Sequence, residues 1–272
     1  MTGHVSLGDP PGGIRCPVSM PTAGLMRWES AQQYHIAAHI FVCVTGDGSV
    51  LLDLKRDKYL GLGMMETRWV ASAVDEWPKP IWDELENHPP AEGAVEELLE
   101  SLADAGILTR NVGDGVASAR RAVFDMKKEW TSIGDELEVE SKVTAAHVVN
   151  FSRAFVEARL SLALRPFEAT VEKVRARKAA RGRNFELCSP LQVADMVDVF
   201  RRLRTFVFAA EGRCLLHALT LVNFLARCDF YPEWVIGVST QPWGAHSWVQ
   251  WGDFLLDTNP EKVCQFAPIL VV

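Results

Sequence analysis

The sequence predicts an α+β protein with two unequal domains. Three short strand-like stretches are followed by helical periodicity, which predicts a small winged-helix-like domain of three strands and three helices. Further along, an almost wholly apolar helix precedes strand-like stretches, which predicts a larger domain with a central helix packed on an antiparallel sheet. The chain has 272 residues, of which 48% are hydrophobic, so it is long enough to bury a sizeable core.

Composition and charge exclude two classes of partner. The formal net charge is −7 and the pI is near 5.6, whereas nucleic-acid binders carry a basic surplus. The longest apolar helical patterns are interrupted by charged residues such as Arg153 and Glu157, so none offers the roughly 18 apolar residues of a membrane span. We therefore expect no nucleic-acid partner and no membrane insertion.

The N-terminal stretch is rich in glycine and proline. It lacks the basic start and the apolar run of a secretory signal. We therefore expect a flexible segment over residues 1–35 and a cytoplasmic protein.

The six cysteines are scattered without a C-x-x-C spacing. This spacing indicates neither a disulfide framework nor a zinc ribbon. A zinc site made by Cys214, His217 and Cys228 would lack a fourth ligand and matches no known spacing, so we expect no metal and no other cofactor.

The first domain is predicted over residues 36–110. Strand-like stretches follow one another at residues 40–44, 50–54 and 58–62. The run Thr45-Gly46-Asp47-Gly48 is a turn, which predicts an antiparallel meander. Helices are predicted next, at residues 65–76, 80–87 and 92–105. These elements bring together no acids, bases or nucleophiles, so the sequence predicts a binding role for this domain.

Turn-forming residues without periodicity mark the end of the first domain. They predict a linker over residues 111–118 and a second domain over residues 119–272. Helical patterns cover residues 143–164 and 167–181. Ser189-Pro190-Leu191-Gln192 is a capping box with proline at the first helical position, so another helix is predicted to begin there.

Three residues of the second domain have the types and the order of a thiol-dependent catalytic triad. Cys214 begins the apolar helix, where unpaired backbone N–H groups and the macrodipole favour a thiolate. His246 lies on a predicted strand and would accept the thiol proton, and the carboxylate of Asp257 on the next strand would fix its tautomer. This arrangement of helix and sheet is typical of papain-like and transglutaminase-like enzymes.

The register of the last hairpin decides whether His246 meets Asp257. A loop centred between Trp251 and Gly252 places the two residues opposite each other on one face. A loop centred between Gly252 and Asp253 places His246 opposite Asn259 instead. We prefer the first register, because Asp257 closes the apolar run, and Asn259 is the alternative partner.

Each member of the triad also has a non-catalytic interpretation, as a packing cysteine, a core histidine and a turn-forming aspartate. His217 is a rival base, three residues after Cys214 on the same helix. We expect His217 to pack or to line the cleft, because a base on the adjacent strand can face a thiol at the helix tip.

These residues and their surroundings resemble the lasso peptide biosynthesis B protein. The resemblance lies in four segments, Cys214–Leu221, Val235–Val238, Pro242–Gln250 and Phe266–Leu270. It implies a transglutaminase-like cysteine peptidase with Cys214, His246 and Asp257 as its triad, which removes the leader from a ribosomally made precursor peptide. Members often carry Arg-Ser where this chain has His217-Ala218.

The same resemblance implies that the first domain recognises the leader. The leader would add a strand beside Lys58, Tyr59, Leu60 and Leu62 and lie against Leu98 and Leu102 of the third helix. A solvated edge strand without a partner is the alternative. The family also implies a partner cyclase, which consumes ATP and closes the ring.

Three further residues are candidates for the walls of the cleft. Arg213 would contact an anion, while Trp243 and Trp248 would hold substrate and exclude water. The backbone N–H of Cys214 is the candidate oxyanion donor.

Two other functions fit the same residues. An acyltransferase would pass the thioester to an amine instead of water, and a peptide-binding scaffold would use no triad at all. The presence of all three chemical groups favours catalysis over the scaffold.

Overall fold

The computed structural model describes residues 33–80, 93–111, 130–133, 139–181, 189–208 and 213–272. The flexible segment expected over residues 1–35, the helix expected over 80–87 and the linker expected over 111–118 lie almost wholly outside these ranges and stay predictions. No helix among the described residues is both long enough and apolar enough to cross a membrane.

The predicted meander is confirmed. Strands β2 (Ile40–Thr45), β3 (Gly48–Asp53) and β4 (Lys58–Gly63) form an antiparallel sheet in the order β2-β3-β4. The alternating sequence did not reveal a second small sheet, in which β1 (His35–Ile36) pairs with β5 (Leu108–Thr109). Within the described residues β4 pairs with β3 alone, so its other side is an edge.

Two helices cover one face of this sheet. They are α1 (Met64–Ala73) and α2 (Ala94–Asp104). Their apolar side chains share a buried cluster with Leu51 of β3, and Val42 and Leu62 pack against it. Because side chains of a strand alternate between its two faces, the neighbouring residues of β2, β3 and β4 must point the other way.

The second face of the sheet packs on the rest of the protein. Cys43, Val50, Leu52 and Leu54 belong to one buried cluster together with side chains of the larger helical and sheet region, and Tyr59 packs against it. Buried side chains of the two predicted domains therefore belong to one hydrophobic core.

The described residues of the second region include four longer helices. They are α3 (Ala145–Leu164), α4 (Phe167–Arg181), α5 (Pro190–Arg204) and α6 (Cys214–Ala226). The predicted capping box at Ser189 is confirmed, since its side chain accepts a hydrogen bond from the Gln192 N–H. Every residue of α6 from Ala218 to Leu225 is buried, which confirms the central helix.

The main sheet has five strands in the order β10-β7-β8-β9-β6. Its members are β6 (Thr131–Ser132), β7 (Glu233–Thr240), β8 (Trp243–Trp251), β9 (Phe254–Leu256) and β10 (Ala267–Val271). A short helix, α7 (Pro260–Val263), connects β9 to β10. The sheet is antiparallel except where β6 runs parallel to β9.

The preferred register of the β8–β9 hairpin is wrong. Trp251 pairs with Phe254, so the loop consists of Gly252 and Asp253. Gly252 supplies the positive φ of 57° that a two-residue turn requires. This register also keeps the Trp251 and Phe254 rings together in the strand pair, 6.0 Å apart. β9 then ends at Leu256, and Asp257 leaves the strand with a φ of 65° instead of facing His246.

The shared core predicts the effect of truncating Leu52, which is fully buried between the small sheet and the second region. Leu52→Ala should lower the free energy of unfolding by about 2–5 kcal/mol, because it removes a buried side chain and leaves a cavity. The control is Leu60→Ala on the adjacent strand, where Leu60 is 41% exposed. Denaturant unfolding followed by tryptophan fluorescence measures both. Two separate transitions, of which only one responds to Leu52→Ala, would contradict a shared core.

Candidate active site

Cys214 is the first residue of α6. Its partly exposed thiol points towards strand β8, where the Sγ atom lies 4.0 Å from the carbonyl oxygen of Ala245. The side chain of the preceding residue, Arg213, makes no capping hydrogen bond to the first backbone N–H groups of α6. The thiol thus lies at the positive end of a buried helix and beside the residue that precedes His246.

His246 is buried on β8 between aromatic rings. The Trp248 ring stacks at 6.2 Å and the Phe266 ring lies at 5.2 Å. Gly237 is the residue paired with His246, and a Cβ atom there would come within 2.7 Å of the Trp248 ring. The close approach of the aromatic rings to His246 therefore requires glycine on the neighbouring strand.

The electrostatics of His246 favour a neutral imidazole. Burial, followed by the electrostatic influence of Lys262 and His217, lowers the pKa of His246 from 6.5 to about 4. A neutral imidazole can accept a proton from a thiol. Its Nε2 atom is buried and has no hydrogen-bond partner among the described residues.

Asp257 is surrounded by cationic groups. Its side chain is 2% exposed, and its Oδ1 atom accepts a hydrogen bond from Arg201 Nε at 3.1 Å. The Oδ2 atom lies 3.1 Å from a terminal nitrogen of Arg204 and 2.9 Å from His217 Nε2. Neither contact of Oδ2 has hydrogen-bond geometry, so Oδ2 keeps an unused lone pair. Asp257 and His246, both among the described residues, are joined by no hydrogen bond or ion pair.

His217 both packs and lines the cleft. Its ring meets the edges of the Phe200 and Phe208 rings at 5.4 Å and 5.1 Å, and its Nε2 atom reaches Asp257. The alternative partner Asn259 is occupied elsewhere, because its side chain caps α7 by accepting the Lys262 N–H at 3.0 Å. In this structure the carboxylate of the predicted triad thus contacts the rival histidine.

Arg201 and Arg204 were not among the site residues predicted from the sequence. Both belong to the last turn of α5 and are three residues apart, which places them on one face of the helix. That spacing in the sequence indicates two basic side chains on one face of the helix. The sequence gives no signal for their partner, because Asp257 lies more than fifty positions further along the chain.

One cleft of about 960 Å³ contains all three predicted catalytic residues. Besides Cys214, His246 and Asp257, its lining includes Arg204, Arg213, His217, Trp248 and Lys262. Trp248 is almost fully buried, and its indole N–H donates to Gln250, so it forms the floor under His246. Trp243 does not line the cleft and is 57% exposed.

The predicted leader-binding strand lies close to this cleft. The Tyr59 ring of β4 contacts the Trp243 ring edge-on at 5.8 Å. Burial, and then the electrostatic influence of Asp57 and Cys214, raises the pKa of the Tyr59 hydroxyl. Asp47 accepts a hydrogen bond from the Thr240 hydroxyl at 2.8 Å, which is a second contact between the small sheet and the β7–β8 hairpin.

The other predicted leader contacts differ in exposure. Lys58 and Leu60 are exposed on the edge strand, and Leu62 and Leu98 are half-buried. Leu102 is buried in the cluster between the sheet and its helices, at 6% exposure. Within the described residues, no group of three or more histidine, cysteine or acidic side chains is placed to hold a metal ion.

Comparison with known families identifies the second region. Residues 148–271 match the model of the transglutaminase-like superfamily. The match spans α3 to β10 and includes Cys214, His246 and Asp257. No curated protein and no solved structure matches the chain. Residues 148–271 are therefore similar to a transglutaminase-like domain.

The positive charge of Lys262 lowers the pKa of His246, so removing this charge should change the titration of His246. His246 should titrate with a pKa of about 4, and Lys262→Gln should raise this pKa because it removes one cation that lowers it. Burial keeps the pKa below 6.5 in both proteins. Lys142→Gln is the matched control, since Lys142 is exposed and does not act on His246.

NMR of histidine-labelled protein measures this titration, and the signal lost in His246→Gln assigns the resonance. Because the native pKa lies below that of the unfolded chain, the stabilisation from neutral His246 is complete above pH 6.5 and is lost as the pH falls towards 4. A His246 pKa near 6.5 that does not change in Lys262→Gln would contradict the described burial of His246 and the effect of Lys262.

Proposed function

We propose that this protein is a leader peptidase of lasso peptide maturation. It binds the leader of a ribosomally made precursor peptide and cleaves it from the core by thiol catalysis. The transglutaminase-like domain supports the chemistry, because that superfamily includes cysteine peptidases. The resemblance of the segments around Cys214 and His246 to the lasso peptide biosynthesis B protein supports the choice of substrate.

The observation that carries the proposal is the pair of unsatisfied atoms in the cleft. His246 Nε2 and Asp257 Oδ2 are both buried, and neither has a hydrogen-bond partner among the described residues. His246 Nε2 is a donor when it carries the ring proton, and Asp257 Oδ2 is an acceptor. Buried polar atoms without partners are rare in stable sites, so this pair supports a working state in which the two bond to each other.

The chemical steps follow from these positions. Neutral His246 takes the proton of the Cys214 thiol, and the thiolate attacks the scissile carbonyl carbon of the precursor. The backbone N–H of Cys214, at the start of α6, stabilises the oxyanion. Protonated His246 gives its proton to the departing amine of the core peptide, which leaves the leader as a thioester on Cys214. Water then hydrolyses the thioester and releases the leader with a free carboxylate.

The edge of β4 is the proposed leader site. Its outer side has no strand partner among the described residues, so its backbone N–H and C=O groups can pair with an added strand. Lys58 and Leu60 are exposed there, and Leu62 and Leu98 offer partly open apolar surface. Leu102 belongs to the core beneath them and would support this surface instead of contacting the leader.

The contact between Tyr59 and Trp243 supports a direct route from the leader site to the thiol. The ring contact lies between the edge strand and the β8 strand that carries His246. The shared core holds the two elements in a fixed relation. A precursor bound at β4 would pass these rings to reach Cys214. The amine freed by cleavage is then available to a partner cyclase, which consumes ATP.

Replacement of the nucleophile tests the proposed chemistry. Cys214→Ala should reduce leader removal at least about a thousand-fold, because no other group can form the thioester. Leader affinity should stay unchanged, since the β4 edge is untouched. Cys228→Ala, just beyond the other end of α6, is the matched control.

Mass spectrometry of intact precursor measures the loss of the leader and the free carboxylate on the released fragment. An amide on that fragment when amines are supplied would indicate an acyltransferase. Undiminished cleavage by Cys214→Ala would exclude the triad.

Proline substitution at two adjacent positions tests strand addition. Successive N–H groups of an edge strand point to opposite sides, so one of Leu60→Pro and Gly61→Pro removes a free edge donor while the other breaks the pairing with β3. The variant that removes the free donor should bind leader at least about ten-fold more weakly without a change in melting temperature. Titration of a labelled leader peptide into the full chain measures affinity. Unchanged affinity in both stably folded variants would exclude this edge.

A further inference from the structure

We propose that Arg201 and Arg204 are positioning residues for the thiol chemistry of the cleft, which rests on the proposed role of Cys214, His246 and Asp257. The two guanidinium groups hold the Asp257 carboxylate in place, and His217 completes the set of groups around it. Neither arginine is proposed to contact the substrate. Their effect on catalysis passes through Asp257.

The burial of Asp257 makes such partners necessary. Its side chain is 2% exposed, and a buried ionised carboxylate without partners is strongly destabilising. Arg201 and Arg204 both lie at 3.1 Å from its oxygens, while their own side chains stay 31% and 38% exposed. The arginines therefore neutralise the carboxylate and keep part of their own hydration. Removing one leaves a buried charge with fewer partners.

The geometry leaves one side of the carboxylate unused. Arg201 occupies Oδ1 with its Nε–H, and Arg204 directs an N–H towards His217 Nε2 at 3.1 Å, so this N–H is not aimed at Oδ2. Oδ2 is ion-paired but accepts no hydrogen bond, and His246 Nε2 is the other buried atom of the cleft without a hydrogen bond among the described residues. The arginines thus restrain the carboxylate and leave Oδ2 available to the imidazole.

Helix α5 contains a matched control for this role. Arg202 lies between the two arginines in sequence, on the same turn of the same helix. Its side chain pairs with Asp198 at 3.0 Å and does not line the cleft. Arg202→Gln therefore removes the same charge from the same helix without touching Asp257.

The first measurement is the rate of Cys214 alkylation by iodoacetamide at pH 7, followed in the full chain by mass spectrometry of the peptide that contains Cys214. Arg201→Gln and Arg204→Gln should each slow alkylation about ten-fold, because the displaced carboxylate no longer orients the base and a nearby cation is lost. Arg202→Gln should react at the wild-type rate. Arg201→Lys should recover part of the loss, since it restores the charge but not the fork geometry.

The second measurement separates positioning from folding and from binding. In leader cleavage, Arg201→Gln and Arg204→Gln should lower kcat about ten-fold or more and leave KM unchanged. If the glutamine variants unfold, the comparison is made with Arg201→Lys and Arg204→Lys against Arg202→Lys, at melting temperatures equal to that of the wild type. Alkylation rates equal to those of the Arg202 variant would overturn the inference. Because alkylation needs no peptide, a wild-type protein that shows this pattern but cleaves no precursor would contradict the proposed function alone.

Discussion

The packing of α6 against strand β8 is the contact on which the site depends. α6 is buried from Ala218 to Leu225, between α3 and the main sheet, so it cannot rotate or slide without exposing apolar surface to water. This fixes the position of the first residue of the helix. Cys214 therefore faces Ala245 and the adjacent His246 because of hydrophobic burial several residues away. Cys214 needs no polar side-chain interaction of its own to hold it there.

The same core extends to the small sheet and changes how the two regions act together. Leu52 and its neighbours on one face of β3 are buried with residues of α4, α6 and β10 in a single cluster. The edge strand β4 and the thiol on α6 therefore belong to elements that are joined by one hydrophobic core. Two independently folding modules joined by a linker would leave the distance between these sites variable, whereas a common core sets it.

Much of this arrangement was predictable from the sequence, and the parts that were not have identifiable physical reasons. Alternation and turn chemistry predicted β2 to β4, and the almost wholly apolar composition of α6 predicted its burial, because both patterns follow from which side chains are buried. The β8–β9 register was not predictable, since either loop position keeps the same residues on the same face. The deciding factors were the ring contact between Trp251 and Phe254 and the positive φ at Gly252.

The environment of Asp257 was less predictable still. Asp257 follows the strand with a positive φ. The partners of its carboxylate come from the end of α5 and from His217 near the start of α6. Such a set depends on tertiary packing and not on local pattern. The spacing of Arg201 and Arg204 indicated a basic face of α5, but a basic helix face is usually solvated and by itself indicates no site.

The charge of the cleft is opposite to that of the protein as a whole. The chain carries a net charge of −7, yet the described residues around the thiol and imidazole include Arg204, Arg213 and Lys262, against the single carboxylate of Asp257. That carboxylate is already shared between two guanidinium groups, so the local field is positive. Burial, followed by the electrostatic influence of Lys262, keeps His246 neutral. A positive field also favours negative charge on an atom bound in the cleft. Asp257 would then contribute mainly by orienting the imidazole, because its charge is largely neutralised before substrate arrives.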